Sequence, residues 1–119
     1  MLSLNEARRL YFCSEQVTFR VRHKGLRAYI KGSLGREPMN GDAYIFMSSD
    51  STRVRVYYFN NGGEVLVEKI LHGSRFIRPV YDEKGKTHHM SWSDFRYLVE
   101  GIIRRDNRVN LQPETSSET

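Results

Sequence analysis

Asn60-Asn61-Gly62-Gly63 is the feature that most narrows what this chain can fold into. Asparagine and glycine tolerate positive φ, so this run between two β-patterned stretches reads as a tight hairpin turn. Residues 53–59 alternate, with Val54, Val56 and Tyr58 on one face and Arg53, Arg55, Tyr57 and Phe59 on the other. Residues 64–71 return as the partner strand. Residues 43–47 fill both faces of a short, well-covered strand before the polar loop of residues 48–52. Residues 10–13 suit a first strand, and 75–78 a brief one ended by Pro79. Residues 87–90 follow a second turn-like loop, Asp82-Glu83-Lys84-Gly85-Lys86.

Between the first two strands the period changes. Phe19, His23, Leu26 and Ile30 fall at i, i+4, i+7 and i+11, one stripe of a helix. Thr18 stands where its hydroxyl can accept an orphan N–H at the helix start, and Gly32 and Gly35 bracket the stop. The opposite face carries Arg20, Arg22, Lys24, Arg27 and Lys31. A second helix is expected from Ser91, which can cap it while Asp94 reaches back. Trp92, Phe95, Leu98 or Val99, and Ile102 make its buried stripe, and Gly101 its C-cap. The expected fold is α+β: an antiparallel β-meander of about five strands with an N-terminal amphipathic helix and a C-terminal helix packed on it.

A chain of 119 residues with 39% hydrophobic residues supports one domain around one modest core. Its longest apolar run has five residues, far short of the roughly 20 that span a membrane. The first residues lack the apolar segment of a secretory signal, and a lone Cys13 excludes an internal disulfide or a multi-cysteine metal site. The expectation is a cytoplasmic globular protein. The net charge of +5 is unevenly placed. Residues 1–36 hold eight basic side chains against Glu6 and Glu15, whereas residues 106–119 hold Arg108 against Asp106, Glu114 and Glu118. The latter stretch has only Val109 and Leu111 to bury, too little to offset its ordering entropy. Residues 106–119 are therefore expected as a disordered tail, leaving +7 on a domain of residues 1–105.

No set of residues composes an active centre. Adjacent strand residues point to opposite faces, so His88 and His89 cannot share a metal ion. Asp82 and Glu83 are likewise adjacent, on a loop. Gly32-Ser33-Leu34-Gly35 lacks the lysine and the strand-to-helix setting of a phosphate loop. Cys13 in its apolar run reads as a small buried hydrophobe, and His23 on the apolar stripe as a boundary residue. No enzyme, cofactor or metal is expected. The basic residues say more. Arg20, Arg22, Lys24, Arg27 and Lys31 could each neutralise a phosphate, with an affinity that falls as salt rises. Arg53, Arg55 and Tyr57, with Phe59, interleave guanidinium groups and rings as single-strand-binding sheets do. A solvated charged face, or a dock for an acidic protein, would carry the same residues.

Read in order, Thr18-Phe19-Arg20, Gly25-Leu26, Pro38, Gly41-Asp42 and Ile45-Phe46 are similar to one family of bacterial mobile-element proteins. The series continues through residues 53–58, the turn at 60–63, Arg75-Phe76 with Pro79, and Leu98-Val99-Glu100-Gly101-Ile102. Over roughly residues 10–103 the chain resembles the TnpB-type accessory protein of IS-sixty-six insertion sequences, which is distinct from the RNA-guided nuclease sharing that name. The resemblance implies a non-catalytic accessory protein of DNA transposition, encoded near a DDE transposase. DNA and that transposase are the implied partners; no membrane is expected among them, given the short apolar runs. The chain departs from the family pattern at several positions. Thr18 stands for an aspartate, His23 for a phenylalanine and Arg78 for a tryptophan. The family's Tyr-Trp-Asp-Gly-Asp-Gly turn reads Tyr58-Phe59-Asn60-Asn61-Gly62-Gly63 here, so a tryptophan and two carboxylates are absent. An adaptor that docks on the transposase without binding DNA is the alternative, motivated by Tyr57 and Phe59 as exposed rings and by the absence of a helix-turn-helix pattern.

Overall fold

The computed structural model describes residues 4–5, 7–81 and 84–100. Asp82, Glu83, Gly101, Ile102 and the tail of residues 106–119 lie outside the described residues. The elements are β1 (Leu10–Cys13), α1 (His23–Gly32), β2 (Ala43–Met47), β3 (Arg53–Asn60), β4 (Gly63–Ile70), β5 (Thr87–Met90) and α2 (Trp92–Glu100). The five strands form one sheet in the order β4-β3-β2-β1-β5.

The hairpin forms as its sequence dictates. Asn60 pairs with Gly63, and Asn61 and Gly62 take φ of 48° and 81°. Two consecutive positive φ values make a type I′ turn, whose twist matches that of the flanking strands. The sheet is not a pure meander, however. β1 runs parallel to β2, with Leu10 opposite Ala43, and antiparallel to β5, with Leu10 opposite Met90. The reason is the helix between β1 and β2: a crossover of that length returns the chain to the end of the sheet where β1 began. The first helix is thus this crossover, and no helix precedes β1 among the described residues.

Side-chain alternation divides the core between the two sheet faces. Leu10, Phe12, Ala43, Ile45, Met47, Val54, Val56 and Tyr58 meet Phe95 and Leu98 of α2 on one face. Cys13, Tyr44, Phe46 and Tyr57 meet Leu26 and Ile30 of α1 on the other. Burying Leu26 and Ile30 contributes about 1.5–3 kcal/mol each, the main hold of α1 on the sheet. α2 starts where expected, with Asp94 N donating to Ser91 Oγ at 3.0 Å.

Two sequence expectations fail for local reasons. The first helix begins at His23, not after Thr18. Thr18 closes a turn instead: its hydroxyl accepts Arg20 N at 3.3 Å and its carbonyl accepts Val21 N at 3.4 Å, diverting the groups a helix would use. Residues 75–78 make only an isolated bridge at Arg75 rather than a strand. Phe76 N donates to Ser51 O, and Phe76 turns into the α2-side core.

Candidate nucleic-acid interface

α1 lies across the sheet rather than along one strand. Near its start, Arg55 of β3 donates from Nη1 to Val21 O at 2.8 Å, and Arg27 reaches Glu64 of β4 at 2.7 Å. Beyond its end, Ser33 O accepts Lys86 Nζ at 3.4 Å and Arg36 covers the Tyr11 ring of β1 at 4.0 Å. The start of α1 therefore sits over β3 and β4, and its end faces β1 and β5.

Arg55 organises the start. Only 2% exposed, it also lies 4.4 Å over the Phe19 ring, with Nε 3.4 Å from Glu68. Burial lowers its pKa, Glu68 raises it, and the neighbouring charges of Arg22 and Arg53 lower it again. Gly25 completes the clasp, since a Cβ there would stand 2.7 Å from Val21 Cβ. The strap of residues 17–22 is thereby held against α1 and β3, with Arg20 and Arg22 flanking the anchored Val21. The first turn of α1 contains no acid, and no side chain caps it. Cations there oppose the helix dipole, so their placement is not explained by helix stability.

The eight residues singled out from sequence separate into three groups. Arg20, Arg22 and Lys24 are exposed, and their side chains make no hydrogen bond or ion pair among the described residues. Arg27, Lys31 and Arg53 are partnered by Glu64, by Glu37 at 3.8 Å and by Glu68 at 3.7 Å respectively. Arg55 and Tyr57 are buried, which corrects the expected solvent-facing platform: α1 and its strap cover that face of β3. Tyr57 donates its hydroxyl to Glu64 at 2.8 Å, and burial followed by that bond pushes its pKa well up. Phe59 is half-buried, and none of the aromatic side chains in the described residues is fully exposed.

Sequence reasoning passed over Arg75 and Arg78. Arg75 is exposed and unpaired among the described residues, and its backbone lies beside the β2–β3 loop through the Phe76–Ser51 bond. Arg78 donates to Ser48 O in the same loop. The available signal was two cations three residues apart around Phe76 and Ile77, which a strand assignment absorbed.

The other candidates are occupied by packing. His88 stacks on Tyr81 at 4.2 Å, whereas His89 meets Tyr11 edge-on at 5.7 Å, so the two rings do face apart. No group of three or more potential metal ligands occurs among the described residues. Burial pushes the Cys13 thiol strongly up in pKa. A cavity of about 450 Å³ beside the hairpin turn is lined by Arg8, Arg9, Asn40, Gly41, Asp42 and Asn60, among others. Its polar groups are satisfied within the protein: Arg8 donates to Gly41 O, Phe59 O and Asn60 Oδ1, and Arg9 pairs with Asp42. No described helix is long and apolar enough to cross a membrane.

A model of the IS66 Orf2-like protein family matches residues 8–108. The chain belongs to that family. It is a family of insertion-sequence accessory proteins and not a known catalytic one. A relative from Sinorhizobium fredii, described as the uncharacterized protein y4jC, is 30% identical over 102 residues, covering 86% of each chain. No solved structure matches. Within this family frame four of the departing residues have visible structural roles. Asn60 accepts Arg8 Nη2 at 2.9 Å, and Asn61 takes the positive φ of the turn. Thr18 supplies the strap turn, and Arg78 ties the 71–81 segment to the β2–β3 loop.

Proposed function

We propose that this protein is a non-catalytic accessory factor of DNA transposition, acting in the cytoplasm beside its element's DDE transposase and binding DNA through the basic surface around the start of α1. The observation that carries the reading is the set of cations without partners among the described residues: Arg20 and Arg22 on a strap that a buried arginine anchors, and Lys24 in the first turn of α1. Arg27, Lys31 and Arg53 add charge at the rim. Membership of an insertion-sequence family supplies the context in which a small basic domain meets DNA.

An adaptor that leaves DNA untouched loses one of its motives, because Tyr57 is buried. A mobility-shift titration at about 50 and 200 mM salt tests the DNA reading. Three phosphate contacts would weaken binding about 40-fold over that range, since the logarithm of affinity falls by roughly 0.9 per contact per tenfold salt. Absence of any shift at low salt would reject DNA binding. Co-purification of the transposase with a chain unable to bind DNA would then establish the adaptor.

A further inference from the structure

The exposed cations do not stop at the helix. At the sheet end where β3 begins, three separate segments converge. The strap brings Arg20 and Arg22, β3 brings Arg53, and the 71–81 segment brings Arg75 and Arg78 against the β2–β3 loop. Behind them lies buried Arg55, close enough to Arg22 and Arg53 for both charges to depress its pKa. The carboxylates in direct contact with this set are few. Glu68 serves Arg53 and Arg55, and Asp50 is engaged by the Ser48 and Thr52 hydroxyls of its own loop. Arginine, rather than lysine, supplies the charge here, and its planar fork suits phosphate oxygens.

What this end lacks is equally informative. The rings beside it are used in packing: Phe19 lies under Arg55, Tyr57 is buried, and Phe76 faces the core. Stacking unpaired bases needs exposed rings, and reading base edges needs a helix or ribbon that enters a groove. A sheet end with its flanking loops offers neither. Duplex DNA, with one phosphate charge per roughly 1.7 Å of axis, matches a spread of forked cations without either device.

We infer that this arginine-rich sheet end binds the sugar–phosphate backbone of duplex DNA without reading its bases, through Arg22, Arg53 and Arg75, with Arg55 as the positioning residue that fixes the strap. The inference rests on the DNA-binding reading above and adds to it a ligand form, a contact residue, Arg75, and a positioning residue, Arg55. Arg55 touches no phosphate; it sets where Arg20 and Arg22 stand.

Fluorescence anisotropy with the full chain and two short duplexes of unrelated sequence tests this. Arg22→Glu combined with Arg75→Glu changes two side chains that have no described partner to lose, and a thermal melt verifies the fold. This double variant should bind at least tenfold more weakly, while Lys84→Glu with Lys86→Glu, which removes equal charge on the β5 side, should stay within about threefold of the parent. Replacing Arg22 and Arg75 by alanine should flatten the salt slope by nearly two. Both duplexes should bind within about twofold of each other. Arg55→Lys keeps the charge but cannot both stack on Phe19 and reach Val21, so affinity should fall about threefold with the salt slope unchanged. An unchanged affinity in that variant would remove the positioning role. Duplex binding by the parent that survives the Arg22 and Arg75 reversal, or that differs tenfold between the sequences, overturns the inference but leaves DNA binding intact. If the parent binds no duplex, yet captures the transposase only while these arginines are present, the surface serves an acidic protein and both readings fall.

Discussion

The two ends of α1 are built from similar residues and held in opposite ways. At the far end the cations are occupied: Lys31 faces Glu37, Arg36 covers the Tyr11 ring, and Lys86 bonds Ser33 O and lies 3.9 Å from Glu15, which also accepts the Tyr29 hydroxyl. At the start, a buried guanidinium holds the strap while Arg20, Arg22 and Lys24 stand without partners among the described residues. The far end has its charge compensated locally. The near end uses its strongest interactions to present charge. The contrast shows that counting basic residues along a helix says little until each one's partner is known.

The largest test of that contrast is removal of the anchor. Arg55→Ala should destabilise the protein by about 3 kcal/mol in urea unfolding, because Val21 O loses its buried donor, Phe19 loses the guanidinium over its ring, and Glu68 keeps only Arg53 at 3.7 Å. A loss below about 1 kcal/mol would mean that the strap is not held by Arg55. Gly25→Ala comes next. Better helix propensity should return up to about 1 kcal/mol, but the 2.7 Å approach to Val21 forces overpacking that costs about 1–3 kcal/mol. A net loss near 1 kcal/mol is expected, and a stabilised variant would show that Val21 yields freely.

Asp50 gives a pH handle on the loop beside the arginines. Bonds from the Thr52 and Ser48 hydroxyls and the Thr52 N–H hold its carboxyl down to about 2. A depressed carboxylate adds stability above its unfolded pKa, near 3.9, that is lost as pH falls towards 2. Asp50→Asn should therefore flatten the acid limb of stability between about pH 4 and 2, as followed by circular dichroism. An unaltered limb would locate the acid sensitivity elsewhere. The smallest effect belongs to the far end: Lys31→Ala should change stability by less than about 0.5 kcal/mol, since its ion pair with Glu37 is exposed on both sides.

Much of the fold could be read from local chemistry. Asn61-Gly62 specified the turn, Ser91 the start of α2, and Leu26 with Ile30 the buried side of α1. What escaped depends on distant partners. Strand alternation assigns Arg55 and Tyr57 to one face but cannot say what covers that face, and here α1 does. The parallel β1–β2 pairing leaves no mark on periodicity. Thr18 offered its hydroxyl equally well to a helix cap and to the turn it actually closes. The basic helix residues of the candidate site were visible from sequence, whereas Arg75 joins them only through the β2–β3 loop contact.

The place of β1 in the sheet also sets a timetable. β3 and β4 are joined by two residues and can pair as soon as both exist, whereas β1 waits for β5, about 80 residues further along the chain. At roughly 5–20 residues per second, synthesis leaves Leu-Tyr-Phe-Cys with an open edge for on the order of several seconds. The first strand made is the last to acquire both neighbours, so a ribosomal pause before residue 87 would prolong exposure of β1's unpaired edge.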